Sequence, residues 1–441
     1  MSKLKRAKRL LIGAGCIALL LISWLIAVNS KSPVDKQMEL VRQASALMDD
    51  GIYVVAVPLL EEAADYDTVY TIKVEEELKK AYLALIDTRG YRRKYTNLLE
   101  TQINRTDAQP EVFMEAANYY LGISKIPEAL AVLRTGIAKT QDEQLIALYE
   151  QNRYVYEINR ASYDYAAAIY GKTSQVKTGG LWGLASADGT LLIPCVYEKI
   201  STFSADRVIV KKDNEIFAVN IDNNRVAVMR DETADFGNFA NDRIPLQIGA
   251  DWKRATGEFV VGTASFEGLG MYSDGYAAAQ TGGMWGVVDL KQNWLIPAEF
   301  DGIVMDELGR CYAQGAVFVR KQGLVYLYVE GRLVGDAFDD AKPFSDEGYA
   351  AVKRNGRWGF IDTNGQTKIS CLYDDALSFG QHLAAVKQNE LWGYINLYGD
   401  MVIEPVFIEA KSFSNGSAPV YTGNGWQFIT LLELKSRQGI M

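Results

Sequence analysis

Three regimes of hydrophobic patterning divide the 441-residue chain. Leu10 to Val28 is an apolar run with Ser23 as its only polar side chain, and wound as a helix it would extend about 28 Å, close to one bilayer core. From Met38 the apolar positions recur at helical spacing: Val41, Ala44 and Leu47, then Leu59, Leu60 and Ala63, then Val74, Leu78 and Leu85. Breaks at Asp49-Asp50-Gly51, Arg89-Gly90 and Gln109-Pro110 cut this stretch into pieces of helix-hairpin length, and Pro110 suits a helix start. After about residue 172 the period shortens to alternating apolar runs separated by Gly, Asn-Gly and Asp-Gly, the pattern of β-hairpins with tight turns.

The third regime repeats itself. Trp182-Gly183, Trp285-Gly286, Trp358-Gly359 and Trp392-Gly393 recur, and Phe217, Trp252, Val325 and Trp426 fall at the intervening phases. Successive steps are 35, 35, 33, 40, 33, 34 and 34 residues. An aliphatic residue lies eleven positions after the Trp and an aromatic four further on, as in Ile193 and Tyr197, Ile296 and Phe300, Ile369 and Tyr373, and Ile403 and Phe407. A third marker precedes the Trp, at 344–352, 379–386 and 413–420. Three strands per unit follow, with the indole supplying packing surface and the next Gly admitting a neighbouring backbone or ring. Such units either close radially into a propeller of seven or eight units, the favoured architecture, or stack as an open β-solenoid. A strand near Ser174 to Lys177 and the final Trp426-Gln427-Phe428-Ile429 could complete one blade between them.

Gly356-Arg357-Trp358-Gly359-Phe360-Ile361-Asp362 followed by Asn364-Gly365 resembles the WG (KWG) repeat family, and the unit at Trp392 does so through Tyr394, Ile395 and Asn396. The resemblance implies a repeat scaffold and no enzyme. In the helical regime, Gly51 to Ala56 with Leu60 and Ala63 resembles half of a tetratricopeptide repeat, with echoes around Tyr95 and Ala129. Gly136 stands where the third unit should have its Ala. That likeness implies stacked hairpins with a groove of the kind that binds peptides; a plain helical spacer is the alternative.

Charge orients the picture. Lys3, Lys5, Arg6, Lys8 and Arg9 precede the apolar run without an acid among them, which predicts a cytoplasmic N-terminus, a single-pass membrane anchor and an extracytoplasmic body. A cleaved signal peptide fits less well, because the exit Ala27-Val28-Asn29-Ser30 is a poor cleavage site. The net charge of −9 argues against a nucleic-acid partner. The expected divisions are a basic tail (1–9), an anchor (10–28), a TPR-like α-helical domain (36–170) and an all-β repeat domain (172–432).

Chemistry is sparse. His382 is the single histidine, and Cys16, Cys195, Cys311 and Cys371 form no closely spaced pair, so common triads and zinc sites cannot be assembled. Acidic pairs such as Asp339-Asp340 and Asp374-Asp375 could serve a glycosidase, yet Glu198 and Asp301 occupy related positions, which marks them as turn caps or solvated groups. Asp362, Thr363 and Asn364 fall short of a calcium loop. No catalytic residue, metal or cofactor is expected, and no binding residue can be named. Trp182, Gly183, Trp285, Gly286, Trp358, Gly359, Trp392, Gly393 and Trp426 are read as framework. The leading expectation is a non-enzymatic scaffold holding a protein or cell-envelope partner; recognition of wall glycan or peptide, and an envelope-polymer hydrolase using Asp374 and Asp375, are the alternatives.

Overall fold

The computed structural model describes residues 32–229 and 233–434. The chain divides into two compact units, one formed by residues up to 124 with 132–147, the other by 125–131 and 148 onward. Seven helices run through the described N-terminal region: α1 (Pro33–Asp49), α2 (Tyr53–Ala64), α3 (Thr71–Ala84), α4 (Tyr91–Ile103), α5 (Pro110–Gly122), α6 (Ile126–Thr140) and α7 (Glu143–Asn152). Ser32 caps α1 reciprocally with Asp35, and Pro33 and Pro110 occupy first-turn positions where a missing N–H costs nothing. Val41, Ala44, Ala56, Leu60, Val74, Leu78, Tyr95 and Leu99 are buried, so the helical periodicity marks the packed faces. Gly136 has a reason to lack a side chain: a Cβ there would lie 2.7 Å from the Phe113 ring and 2.8 Å from Leu145.

From Tyr156 the chain forms eight sheets, each built around one repeat. In chain order blades 1 to 7 cover residues 165–197, 199–228, 233–255, 268–300, 302–338, 340–373 and 375–407. Blade 8 takes three strands from 409–431 and its outer strand from Tyr156–Ile158, which pairs antiparallel with Trp426–Leu431. The two ends of the β region thus close the ring within a single sheet, leaving no open edge at the seam.

Several expectations are corrected here. The repeat region is a closed propeller of eight blades, so neither the seven-blade count nor the open solenoid holds. The helical region ends at Asn152 rather than at 170, and residues 156–166 belong to the propeller. The closing strand is Tyr156–Ile158, whereas Thr173–Thr178 lies inside blade 1. Most blades have four strands rather than three, the extra one being a two-residue innermost strand such as Asp340–Ala341 or Asp375–Ala376, too short for alternation to reveal. The expectation of a single-pass anchored, extracytoplasmic protein is also withdrawn: among the described residues no helix is long and apolar enough to cross a membrane. The stretch 10–28 on which it rested lies outside the described residues, and the fold lends the anchor no support.

The Trp-Gly pair has a backbone cause. In blade 1 Trp182 pairs with Tyr197 and Leu184 with Ile193, so Gly183 alone faces the bulged segment 194–196 of the outer strand. Blades 4, 6 and 7 repeat this register. A Cβ on Gly183, Gly286, Gly359 or Gly393 would lie 2.5, 2.3, 2.6 or 2.5 Å from the carbonyl oxygen of the facing isoleucine, so the bulge admits only Gly. Blade 2 pairs Phe217 with Val228 and leaves no such excess, which explains how a phenylalanine fits there. Its position in the ladder shows that Ile216, not Phe217, takes the tryptophan place, since Ile216 pairs with Lys211 as Trp182 pairs with Lys177. In blade 5 Tyr326 stands at the glycine place and the relief moves across the ladder to Gly335, with φ of 70°.

Candidate functional site

Within every complete blade the chain runs from the inner strand outwards, so turns between second and third strands share one face with the outer-to-inner connections. On that face the axial channel widens into a recess of about 600 Å³ that touches blades 1 to 5. Trp182 and Trp285 flank it, Glu198, Lys199 and Ile200 form one side, and Phe236, Leu269 and Met271 add apolar wall. Between the two flanking tryptophans in ring order, blade 2 offers Ile216 instead of an indole and blade 3 offers Trp252, which does not reach the recess.

The tryptophans therefore differ in role. Trp358, Trp392 and Trp426 are 4, 8 and 4% exposed and fill inter-blade cores, whereas Trp182 and Trp285 are half-buried and border the recess. Lys177 lies 5.3 Å from the Trp182 ring, with Tyr165 edge-on to it. Trp285 packs over Gly268, where a Cβ would come within 2.7 Å of the indole.

The floor of the recess is made by residues 305–309, part of an extended connection between the first two strands of blade 5. Asp306 organises it, accepting hydrogen bonds from the Leu308 and Arg310 amides at 3.0 and 2.9 Å and from Arg310 Nε at 2.6 Å. Burial alone would lower the Arg310 pKa, but the Asp306 carboxylate outweighs it and raises it. Asn238 Nδ2 of blade 3 donates to the Leu308 carbonyl at 3.0 Å, and the Met271 amide of blade 4 donates to that of Gly309 at 2.9 Å. Gln175 Nε2 fixes Asn238 by donating to its Oδ1 at 2.9 Å. None of Asn238, Glu307 or Leu308 was singled out from sequence; the signal was the 40-residue step between Trp285 and Val325, which records the insertion.

The acidic pairs have structural employment. Asp164, Glu198, Glu267, Asp301, Asp339 and Asp374 each accept a backbone N–H from the hairpin turn of their own blade, at Gly179, Asp213, Gly282 and Gly283, Gln322, Gly356 and Asn389. Asp374 also pairs with Arg357, and Asp375 accepts from the Ala376 amide at 2.8 Å. A second series caps the turn before the outer strand: Asp289, Asp362, Asn220 and Asn396 share one place in the repeat, which in blade 1 is Ser186, and Asp188 two residues further on shares the Thr190 amide with it. Burial would push the Asp188 and Asp362 carboxyls up, but their hydrogen bonds hold both below the ordinary value; for Asp289 the Asn293 amide leads the downward shift. Lys368 pairs with Asp362 at 3.0 Å, so that turn is occupied by an ammonium rather than shaped for calcium. His382 is exposed in a turn, its amide donating to Glu347 at 2.9 Å. Among the described residues no group of three or more His, Cys, Asp or Glu side chains is placed to hold a metal ion.

The geometry defines an eight-bladed β-propeller sealed by its own first strand, with a recess floored by residues 305–309. The chain is a WG-repeat protein: a family described as WG containing repeat matches residues 182–215, 285–323, 337–358, 358–392 and 392–426. No curated protein sequence matches it. Among solved structures, Hsv2 of Kluyveromyces marxianus is 9% identical with a TM-score of 0.35, over 51% of this chain and 88% of that one. PorZ of Porphyromonas gingivalis, a surface component of the type-IX secretion system, is 13% identical with a TM-score of 0.35, over 62% and 46%. A eukaryotic initiation factor is 11% identical with a TM-score of 0.39, over 62% and 87%.

Proposed function

We propose that this protein is a non-enzymatic scaffold that holds a protein partner at the recess face of its propeller, with the helical hairpins offering a second repeat surface. The observation that carries the reading is the difference among the repeat tryptophans: Trp358, Trp392 and Trp426 are consumed by the core, whereas Trp182 and Trp285, like Trp252, only partly cover a core, and these two turn part of their indoles to the recess. A concave, largely apolar site with aromatic walls and a few polar groups is the usual form of an anchor pocket for a partner's side chain. The carboxylates that could have served hydrolysis are engaged in turn caps and ion pairs, which favours binding over turnover.

The test places a photo-crosslinking residue at Lys199 on the recess wall or at Leu372 on the outer rim of the intact chain. A partner captured from position 199 and not from 372, and lost when Trp182 and Trp285 are both changed to Ala, supports the proposal. Equal capture from both positions, or capture unaffected by the double substitution, refutes it. The same indoles suit the C–H faces of a sugar, so a glycan is the second reading; retention on polysaccharide beads that depends on Trp182 and Trp285 would select it.

A further inference from the structure

Blades 1 and 5 lie on opposite sides of an eight-membered ring, yet Glu307 of blade 5 binds blade 1 directly. One carboxylate oxygen accepts the Ala168 amide, and the other accepts the Tyr165 hydroxyl, at 3.3 Å, and the Lys411 ammonium. Lys411 belongs to blade 8. The three donors therefore come from the two blades that meet where the ring closes. Burial alone would lower the Lys411 pKa, but the Glu307 charge outweighs it.

We propose that residues 304–313 are a transannular clasp: they cross the channel from blade 5, close it, and staple the blade 8 to blade 1 seam from inside through Glu307. The crossing is built for close approach at each step. A Cβ on Gly270 would stand 2.8 Å from the Gly309 carbonyl oxygen, and Gly309 itself has a φ of 92° with Met271 N 3.2 Å from its Cβ position. Leu308 is 3% exposed and packs on the axis against Ala240 and Met271, with Ala168 and Tyr170 alongside. The clasp ties together blades that are remote along the chain, adding to the three-residue ladder of Tyr156–Ile158 and the Tyr163–Trp426 bridge beyond it. Since the clasp is also the floor of the recess, closure of the seam and shape of the recess are linked. Any occupant that rests on the floor stabilises the seam, and a loosened clasp weakens binding by the same factor. This consequence rests on the recess being the binding site, whereas the clasp itself does not.

Amide hydrogen exchange on the full chain reads the seam directly. Glu307→Ala and Lys411→Met are each expected to accelerate exchange in the segment 165–170 by about tenfold, the scale of a lost hydrogen bond to a charged group. Exchange in blade 6, over 349–362, should stay unchanged. The double substitution should add little to the stronger single one, because both remove one interaction. Lys411→Arg should retain most of the protection. Unchanged exchange at 165–170 in Glu307→Ala, or equal acceleration in blade 6, overturns the clasp. Should either substitution prevent folding, Gly309→Ala provides the second route, with the same segment-specific acceleration expected and uniform acceleration counting against the proposal. Seam exchange that responds while recess crosslinking does not would retain the clasp and reject the binding site.

Discussion

The glycine of the Trp-Gly pair can be tested against the reason given for it. In Gly359→Ala the new methyl would sit 2.6 Å from the Ile369 oxygen, 2.7 Å from Cys371 N and 2.7 Å from Ser370 C, all of them backbone. Ordinary contact begins near 3.4 Å, so the outer strand must retreat by about 0.8 Å. That movement strains or breaks one or two ladder hydrogen bonds at about 1 kcal/mol each, beyond an overpacking cost of about 1–3 kcal/mol. A destabilisation of about 3 kcal/mol is expected, read from urea unfolding followed by both far-UV circular dichroism and indole fluorescence. Blade 5 supplies the control, because it places Gly335 in the outer strand opposite Tyr326, and Ser370 is its counterpart in blade 6. Adding Ser370→Gly to Gly359→Ala should recover about 1 kcal/mol by letting the bulge adopt the blade 5 solution. A loss below about 1 kcal/mol in the single variant would mean that the bulge yields easily and that close approach is not why glycine stands there.

Three further outcomes are expected. Because Asp188, Asp289 and Asp362 are held below the ordinary carboxylate value, the stability they lend is complete above about pH 4 and disappears as the pH falls through their depressed folded values. Changing Asp289 and Asp362 to Asn, the residue blades 2 and 7 already use at that place, should leave the Tm at pH 7 nearly unchanged and flatten its decline between about pH 4 and 2.5. Burial pushes the Cys311 thiol up to about 12, so an aromatic disulfide reagent should label it only in denaturant, while the half-buried Cys195 and Cys371 react sooner. Trp358→Ala should cost about 3–5 kcal/mol in unfolding experiments, and Trp182→Ala less than half of that, since Trp358 is all but fully buried in an inter-blade core whereas Trp182 only partly covers its own.

How much of this was legible in the chain depended on length and redundancy. The WG ladder was readable because each of its residues meets the same surroundings several times, and Gly359 beside Trp358 states a bulge almost by itself. Innermost strands such as Asp375–Ala376 were invisible, since two residues carry no period. Tyr156–Ile158 was assigned to the helical region because its partner lies in the last blade, and nothing local distinguishes a lone closing strand from a helix end. At 216 and 217 the tryptophan place was misjudged by one residue: without the bulge, an aromatic was free to take the glycine position, and the aromatic was the marker being followed. The recess floor was hidden for a different reason. Glu307, Lys411 and Ala168 are brought together by ring geometry, which has no image in spacing along the chain.

Tyr156 and Leu431 face one another across the eighth sheet. During synthesis the earlier of these two segments must therefore wait, unpaired, while seven sheets are laid down. The intermediate is an open arc with sticky margins, and two such arcs on neighbouring ribosomes present each other with the very strand each one lacks. Exchange of that strand between chains is the natural misassembly of this architecture, and slow elongation through the last blade would be the condition that favours it.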